Sequence, residues 1–481
     1  MLFNSWTFWL FFSIVLPLYW LLPHKAQNRM LLLASYVFYG WWDWRFLPLI
    51  LFSTAMDYYL GLWVAKADSP RTRKFCIVVS VSLNLFLLGI FKYYGFFSRE
   101  LMHLLSSLGI PASLPVLNVI LPVGISFYTF QSMSYVLDIY RGIGIPARNI
   151  ADFALYVAFF PHLVAGPIMR SGLRAVEAGG AGLLKQIVVP RHYRDGDFQQ
   201  GLYLIVLGLF KKVVVGDNMA IVVNTIFRAD PSSLSGLECL AGIYAFAFQI
   251  YADFSGYSSI AQGLARWMGI DLMTNFRMPY FAVSPSDFWR RWHISLSTWL
   301  RDYVYVSFGG SRGTDRQTYR NLMLTMLLGG IWHGANWTFI VWGAFHGALL
   351  CAYRWLDEPN RNKTLADFSP LHAAWRVFLM FQFVCFGWLL FRAESLSQVW
   401  AMMVAIATRP TLTPLALSAL ALPCFYALPL LLFEFWLERC KDLRALVAAP
   451  WLPRGLAYAY CTLMLVYFRA PIAHEFIYFQ F

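Results

Sequence analysis

The 481-residue chain is 59% hydrophobic and 18% aromatic but only 13% charged, and its mean hydropathy of +0.55 would leave far too much apolar surface in water. The composition therefore excludes a soluble domain and predicts an integral membrane protein. A net charge of +13 would suit nucleic acid in a soluble chain. Here the basic residues sit between apolar runs, which points to membrane orientation and anionic lipid, with no nucleic-acid partner.

From the N-terminus, runs nearly free of charge recur at 1–23, 30–42, 46–65, 75–91, 117–137, 153–169, 201–210, 239–252, 321–353, 377–391, 410–433 and 455–468. Each could cross, or partly cross, about 30 Å of hydrocarbon. The first has no Lys or Arg ahead of it and no A-x-A-like site after it, so it predicts a retained anchor. The pattern predicts an all-α polytopic membrane protein of roughly eleven transmembrane helices, with re-entrant and interfacial helices among them. No low-complexity block or fixed-period repeat divides it, so a single membrane domain over 1–481 is expected. Basic clusters at Arg71/Arg73/Lys74, at 170–194 and at Arg439/Lys441/Arg444 mark cytoplasmic loops.

Two polar groups stand out within the early and middle runs. His162 lies between Pro161 and Pro167, where a hydrogen-bonded histidine at a kink is favoured over a ligand. Asp253 is an isolated carboxylate and needs a partner; an internal hydrogen bond is the default and cavity lining the second reading. The seven cysteines are scattered, without a C-x-x-C, and fit packing rather than a disulfide framework or a zinc site.

The segment 268–320 is a polar, Arg-rich insertion. From Arg266 to Arg320 it holds eight arginines against four aspartates. Ser284-Pro285-Ser286-Asp287 supplies a helix start, with Ser284 as N-cap and Pro285 at the first helical position. The spacing then predicts an interfacial helix over 288–302, with Phe288, Trp292, Leu296 and Trp299 on one face and Arg290, Arg291 and Arg301 elsewhere. On that helix His293 borders the aromatic and polar faces, four residues from both Trp289 and Ser297.

The 33 residues from 321 to 353 contain no Asp, Glu, Lys or Arg, yet they hold Trp332-His333-Gly334 and Phe345-His346-Gly347. A titratable ring in such a run must be hydrogen-bonded or line a wet cavity. Gly329, Gly330, Gly334 and Asn336 predict a helix broken near His333, a place tolerated in a membrane only against protein or water. His333 is thus either a packed core histidine or a general base. His346, about 20 Å further along an unbroken helix, reads as structural or supporting. No H-x-x-x-H or carboxylate cluster suggests a metal.

Five ordered motifs carry a resemblance: 121–131 (Leu-Pro-Val-Gly-Ile-Ser-Phe-Tyr-Thr-Phe-Gln), 159–167, 251–257, 286–303 and 332–335. On these the chain resembles the membrane-bound O-acyltransferase (MBOAT) superfamily, in the bacterial branch of alginate, cellulose and peptidoglycan acetylation proteins and teichoic acid D-alanine transfer proteins. The resemblance implies a ring of helices around a central tunnel in the bacterial inner membrane, with His333 as the catalytic histidine and His293 as a second tunnel residue that orients the donor or stabilises charge. It implies no bound cofactor, but an acyl-thioester donor such as acetyl-CoA or a carrier, and a periplasmic serine-hydrolase-like acetyltransferase partner beside polysaccharide synthesis and export machinery. Arg290, Arg291 and Arg301 in the 268–320 donor side, with Asp253, Asn336 and Trp332, are the donor-binding or tunnel candidates. The terminal motif 476–481 offers Tyr478 as an acyl relay, against the alternative of an aromatic membrane tail. The competing class is a transporter or export component whose intramembrane histidines relay protons or bind substrate; the absence of paired half-repeats in the sequence separates the two.

Overall fold

A charge-poor chain in lipid has to satisfy its backbone hydrogen bonds within each segment, and the helix does so. In the computed structural model, which describes residues 1–110, 120–172, 182–360, 362–471 and 474–477, every regular element is helical. Five helices among the described residues are long and apolar enough to cross a bilayer: His24–Lys66, Pro70–Ser107, Trp337–Leu356, Pro370–Arg392 and Pro414–Cys440. Trp6–Leu21 and Leu396–Thr408 are shorter apolar helices. Large side chains such as Trp6, Trp63, Trp400 and Trp451 are exposed, as a lipid-facing surface requires. The chain is a multi-pass membrane protein.

The run 239–252 lies inside one unbroken helix, Gly236–Trp267, while several other runs are interrupted or joined. The runs 30–42 and 46–65 join into one helical stretch through a tight turn at Trp44–Phe46. The run 153–169 breaks at Phe159 into Ile150–Ala158 and Phe160–Leu163. The run 321–353 folds into a hairpin, and part of 117–137 lies outside the described residues.

By contacts the chain divides into two compact units, 1–205 with 260–273, and 206–259 with 274–481. In the first, a buried polar cluster joins three helices: Asp57 accepts from Ser80 Oγ at 2.6 Å and Asn84 Nδ2 at 2.9 Å, while Ser53 Oγ donates to Asn84 at 3.0 Å and lies 3.4 Å from Ser132 Oγ. His162 sits in the short helix Phe160–Leu163 with Nε2 2.8 Å from Gln131 Oε1, the hydrogen-bonded kink histidine expected from its prolines.

The second unit holds most of the singled-out residues. Its Asp315–His333 and Trp337–Leu356 helices form an antiparallel hairpin, opened by a capping box in which Thr314 and Gln317 exchange hydrogen bonds. Glycines let the two helices touch: a Cβ on Gly330 would lie 2.3 Å from Phe339 O, and one on Gly343 2.5 Å from Met326 O. Small residues at a membrane helix crossing allow this close approach. Gly330→Leu is expected to cost about 1–3 kcal/mol or more by forcing the backbones apart. Gly329→Ala, whose Cβ would meet only the Leu300 Cδ1 at 3.3 Å, should be tolerated; thermal unfolding of the two purified variants checks the contrast.

Candidate active site

His333 is the last residue of its helix, and Gly334 follows in extended conformation, with φ −170°. Asn336 then starts the next helix by accepting from the Thr338 N–H at 3.0 Å, and its Nδ2 donates to Glu394 O at 2.9 Å. The break expected near His333 is therefore present, and Asn336 is its cap. The same turn brings His346 back toward His333, so the 20 Å separation of an unbroken helix does not apply.

Aromatic rings surround the histidines. The His333 ring centroid lies 4.9 Å from Trp332, 4.9 Å from Trp342 and 5.1 Å from Phe391. Trp332 faces His293 at 6.4 Å, and Trp342 faces His346 at 4.7 Å. Three buried histidines thus alternate with two tryptophans, in the order His293, Trp332, His333, Trp342, His346.

The structure changes the account of His293. The helix expected over 288–302 is two helices: Pro285–Arg291, begun by Ser284 Oγ accepting from the Asp287 N–H at 3.2 Å, and Ile294–Trp299, which passes into a π-helical turn at Leu300–Tyr305. Between them Trp292 is extended and His293 is left-handed, at φ 41° and ψ 54°. A left-handed non-glycine residue costs about 1–2 kcal/mol, and neighbouring bonds hold it: Arg277 N donates to Arg291 O and Ile294 N to Asn275 O, both at 2.9 Å. The i,i+4 placement against Trp289 is lost at this break, while Ser297 N still donates to His293 O at 2.9 Å as the second helix begins. Phe288, Trp292, Leu296 and Trp299 are buried inside the unit instead of forming the apolar face of an interfacial helix.

The tautomer of His293 follows from its neighbour. Asn275 Oδ1 accepts from the Ser295 N–H at 3.2 Å and Ser295 Oγ at 2.9 Å, which fixes the amide orientation. Its oxygen, 3.2 Å from His293 Nδ1, can only accept, so Nδ1 carries the proton and Nε2 presents its lone pair. Burial pushes the ring's pKa down to about 3, which keeps it neutral. Phe254 packs edge-on against it at 4.6 Å.

The remaining candidates separate. Trp332 lies between the two histidine rings. Asp253 is ion-paired to Lys212 at 2.8 Å and accepts from the Ile477 N–H at 2.7 Å, the internal partnership expected by default. Arg291 is buried and engaged with Asp287 at 3.0 Å and, through both terminal nitrogens, with Glu438 at 2.9 Å; it is a structural cation. Arg290 is exposed. Arg301 is exposed and pairs with Asp302 at 2.7 Å. Tyr478 lies outside the described residues. Asn275, Phe254 and Trp342 carry no local signal of a role beside the histidines, since only the fold pairs them; the left-handed His293 has no sequence signal at all.

Histidines buried among aromatic rings, in a helical multi-pass membrane protein, form a site whose residues can serve acid–base group transfer. The chain belongs to the membrane-bound O-acyltransferase (MBOAT) family, whose profile matches residues 45–391, and it is an O-acyltransferase. It is 43% identical to the "Probable alginate O-acetylase AlgI" of Azotobacter vinelandii over 84% of this chain and 78% of that one. It is 42% identical to the protein of the same name from Pseudomonas aeruginosa, over 84% and 75%. The "Peptidoglycan O-acetyltransferase" of Helicobacter pylori is 34% identical over 79% of this chain and 74% of its own.

Proposed function

We propose that this O-acyltransferase acetylates a secreted polysaccharide of the alginate type, taking acetyl from a thioester on the cytoplasmic side of the bacterial inner membrane. The observation that carries the reading is 43% identity to an alginate O-acetylase along 84% of the chain, with a histidine pair flanking Trp332 inside the matched residues. The transporter alternative gives way to the family.

In this reading His333 is the general base. It takes the proton of the acceptor hydroxyl as the oxygen attacks the thioester carbonyl; the C–O bond forms, the C–S bond breaks, and the proton passes to the departing thiolate. The Nδ1–H tautomer of His293 favours an accepting role at Nε2, toward a donor amide or the acceptor hydroxyl, over stabilising an oxyanion. A tunnel through the membrane would let the thioester, from acetyl-CoA or an acyl carrier, stay inside while the acetyl leaves outward. The exposed Arg290 and Arg301 of 268–320 would meet donor phosphates. A periplasmic serine-hydrolase-like partner would receive the acetyl, directly or through Tyr478.

Mass spectrometry of secreted polymer from cells with and without the chain tests this. Loss of acetyl esters from exported polymer, with peptidoglycan acetylation unchanged, is expected. Loss of peptidoglycan acetylation alone would instead favour the relationship to the Helicobacter pylori enzyme.

A further inference from the structure

The π-helical turn Phe210–Gly216 sends two consecutive lysines to separate partners within the second unit. Lys211 Nζ pairs with Glu434 at 2.8 Å, which also accepts from Tyr251 at 2.5 Å. Lys212 Nζ pairs with both Asp217 and Asp253 at 2.8 Å. One ammonium therefore faces two buried carboxylates, and a surplus buried negative charge is expensive unless further donors solvate it.

Those donors come from the end of the chain. The Ile477 N–H donates to Asp253 Oδ2 at 2.7 Å, and the His474 backbone hydrogen-bonds Asp217. Lys212 in turn donates to His474 O at 3.0 Å. Asn218 Nδ2 holds Phe468 O at 2.9 Å just upstream. Between the two tethers, Phe476 is buried and packs on Phe254 at 5.7 Å and Tyr257 at 5.2 Å. Phe254 is the ring that lies 4.6 Å from His293. The ionic cluster and the tail complete each other, and the tail backs one wall of the histidine site.

We propose that Lys212, Asp253 and Asp217 form a buried clamp whose role is to seat residues 474–477 behind Phe254, and so to position His293. They are positioning residues that act through the tail. The effect on transfer rests on the acyltransfer reading above, while the seating itself does not.

The test uses the full-length protein in lipid nanodiscs, with a nitroxide on Glu475→Cys, an exposed position, in a background lacking the exposed Cys424 and Cys440. Ile477→Pro removes the N–H that Asp253 accepts and leaves the ion pairs intact, and Ile477→Ala, which keeps that N–H, controls for the loss of the buried side chain; the proline variant serves where Lys212→Gln fails to fold. Both variants should mobilise the label and lower kcat about tenfold to a hundredfold, with KM for the thioester donor unchanged. An immobile label in both variants would overturn the clamp. A mobile label with wild-type kcat would overturn its role in the reaction. If the parent protein transfers no acyl group, the acyltransfer reading fails, and the label alone still decides the seating.

Discussion

Replacing His333 with alanine is expected to reduce acyl transfer by about 10²–10⁴-fold, the usual contribution of a general base, while the protein still folds and inserts. The substitution removes one ring at a helix end, where Gly334 and Asn336 already terminate the backbone hydrogen bonding, so the hairpin does not depend on it. Trp332, Trp342 and Phe391 would border a small cavity, at a cost smaller than the loss of rate. His333→Gln supplies a polar side chain of similar reach that cannot take a proton at neutral pH; it should be as inactive as alanine. Polymer acetyl content and thermal unfolding, measured together, separate chemistry from folding: acetyl falls and unfolding stays near that of the parent.

Arg291→Met should do the reverse. It strands Asp287 and Glu438, and breaking a buried pair by removing one partner costs about 3–5 kcal/mol. Asp287 also accepts from the Val283 N–H at 3.2 Å, so the start of the Pro285–Arg291 helix weakens with it. Arg291→Lys keeps the charge but loses the two-nitrogen grip on Glu438 and should fall between. If Arg291 instead bound donor phosphates, the methionine variant would keep its thermal stability and raise the donor KM. Thermal unfolding and donor KM on one preparation distinguish the two.

Much of this was legible in the residues, and the exceptions share a cause. The start at Ser284, the break after His333, the hydrogen-bonded His162 and the internal partner of Asp253 are local or compulsory: a cap, a glycine, a kink, a buried charge that must be paired. The break at Trp292–His293 was not legible, because Phe288 to Asp302 keeps helical periodicity in its apolar residues while tertiary bonds from Asn275 and Arg277 impose the left-handed turn. Arg291 looked available for a ligand because Glu438 is 147 residues away in sequence. His346 is remote from His333 along a single helix, and only the hairpin made by the turn at 334–336 brings the two together. Spacing alone identifies neither Asn275 as the acceptor for His293 nor Lys212 as the cation for Asp253.

Single-turnover acyl transfer in nanodiscs, with purified chain, a radiolabelled acetyl thioester and a small hydroxyl acceptor, tests His333 as the base most directly. Wild type should release free thiol and form an acetyl ester in equal amounts, while His333→Ala, folded and lipid-embedded, should do neither above the uncatalysed rate. Equal ester formation by both proteins would contradict the assignment of His333 as the base.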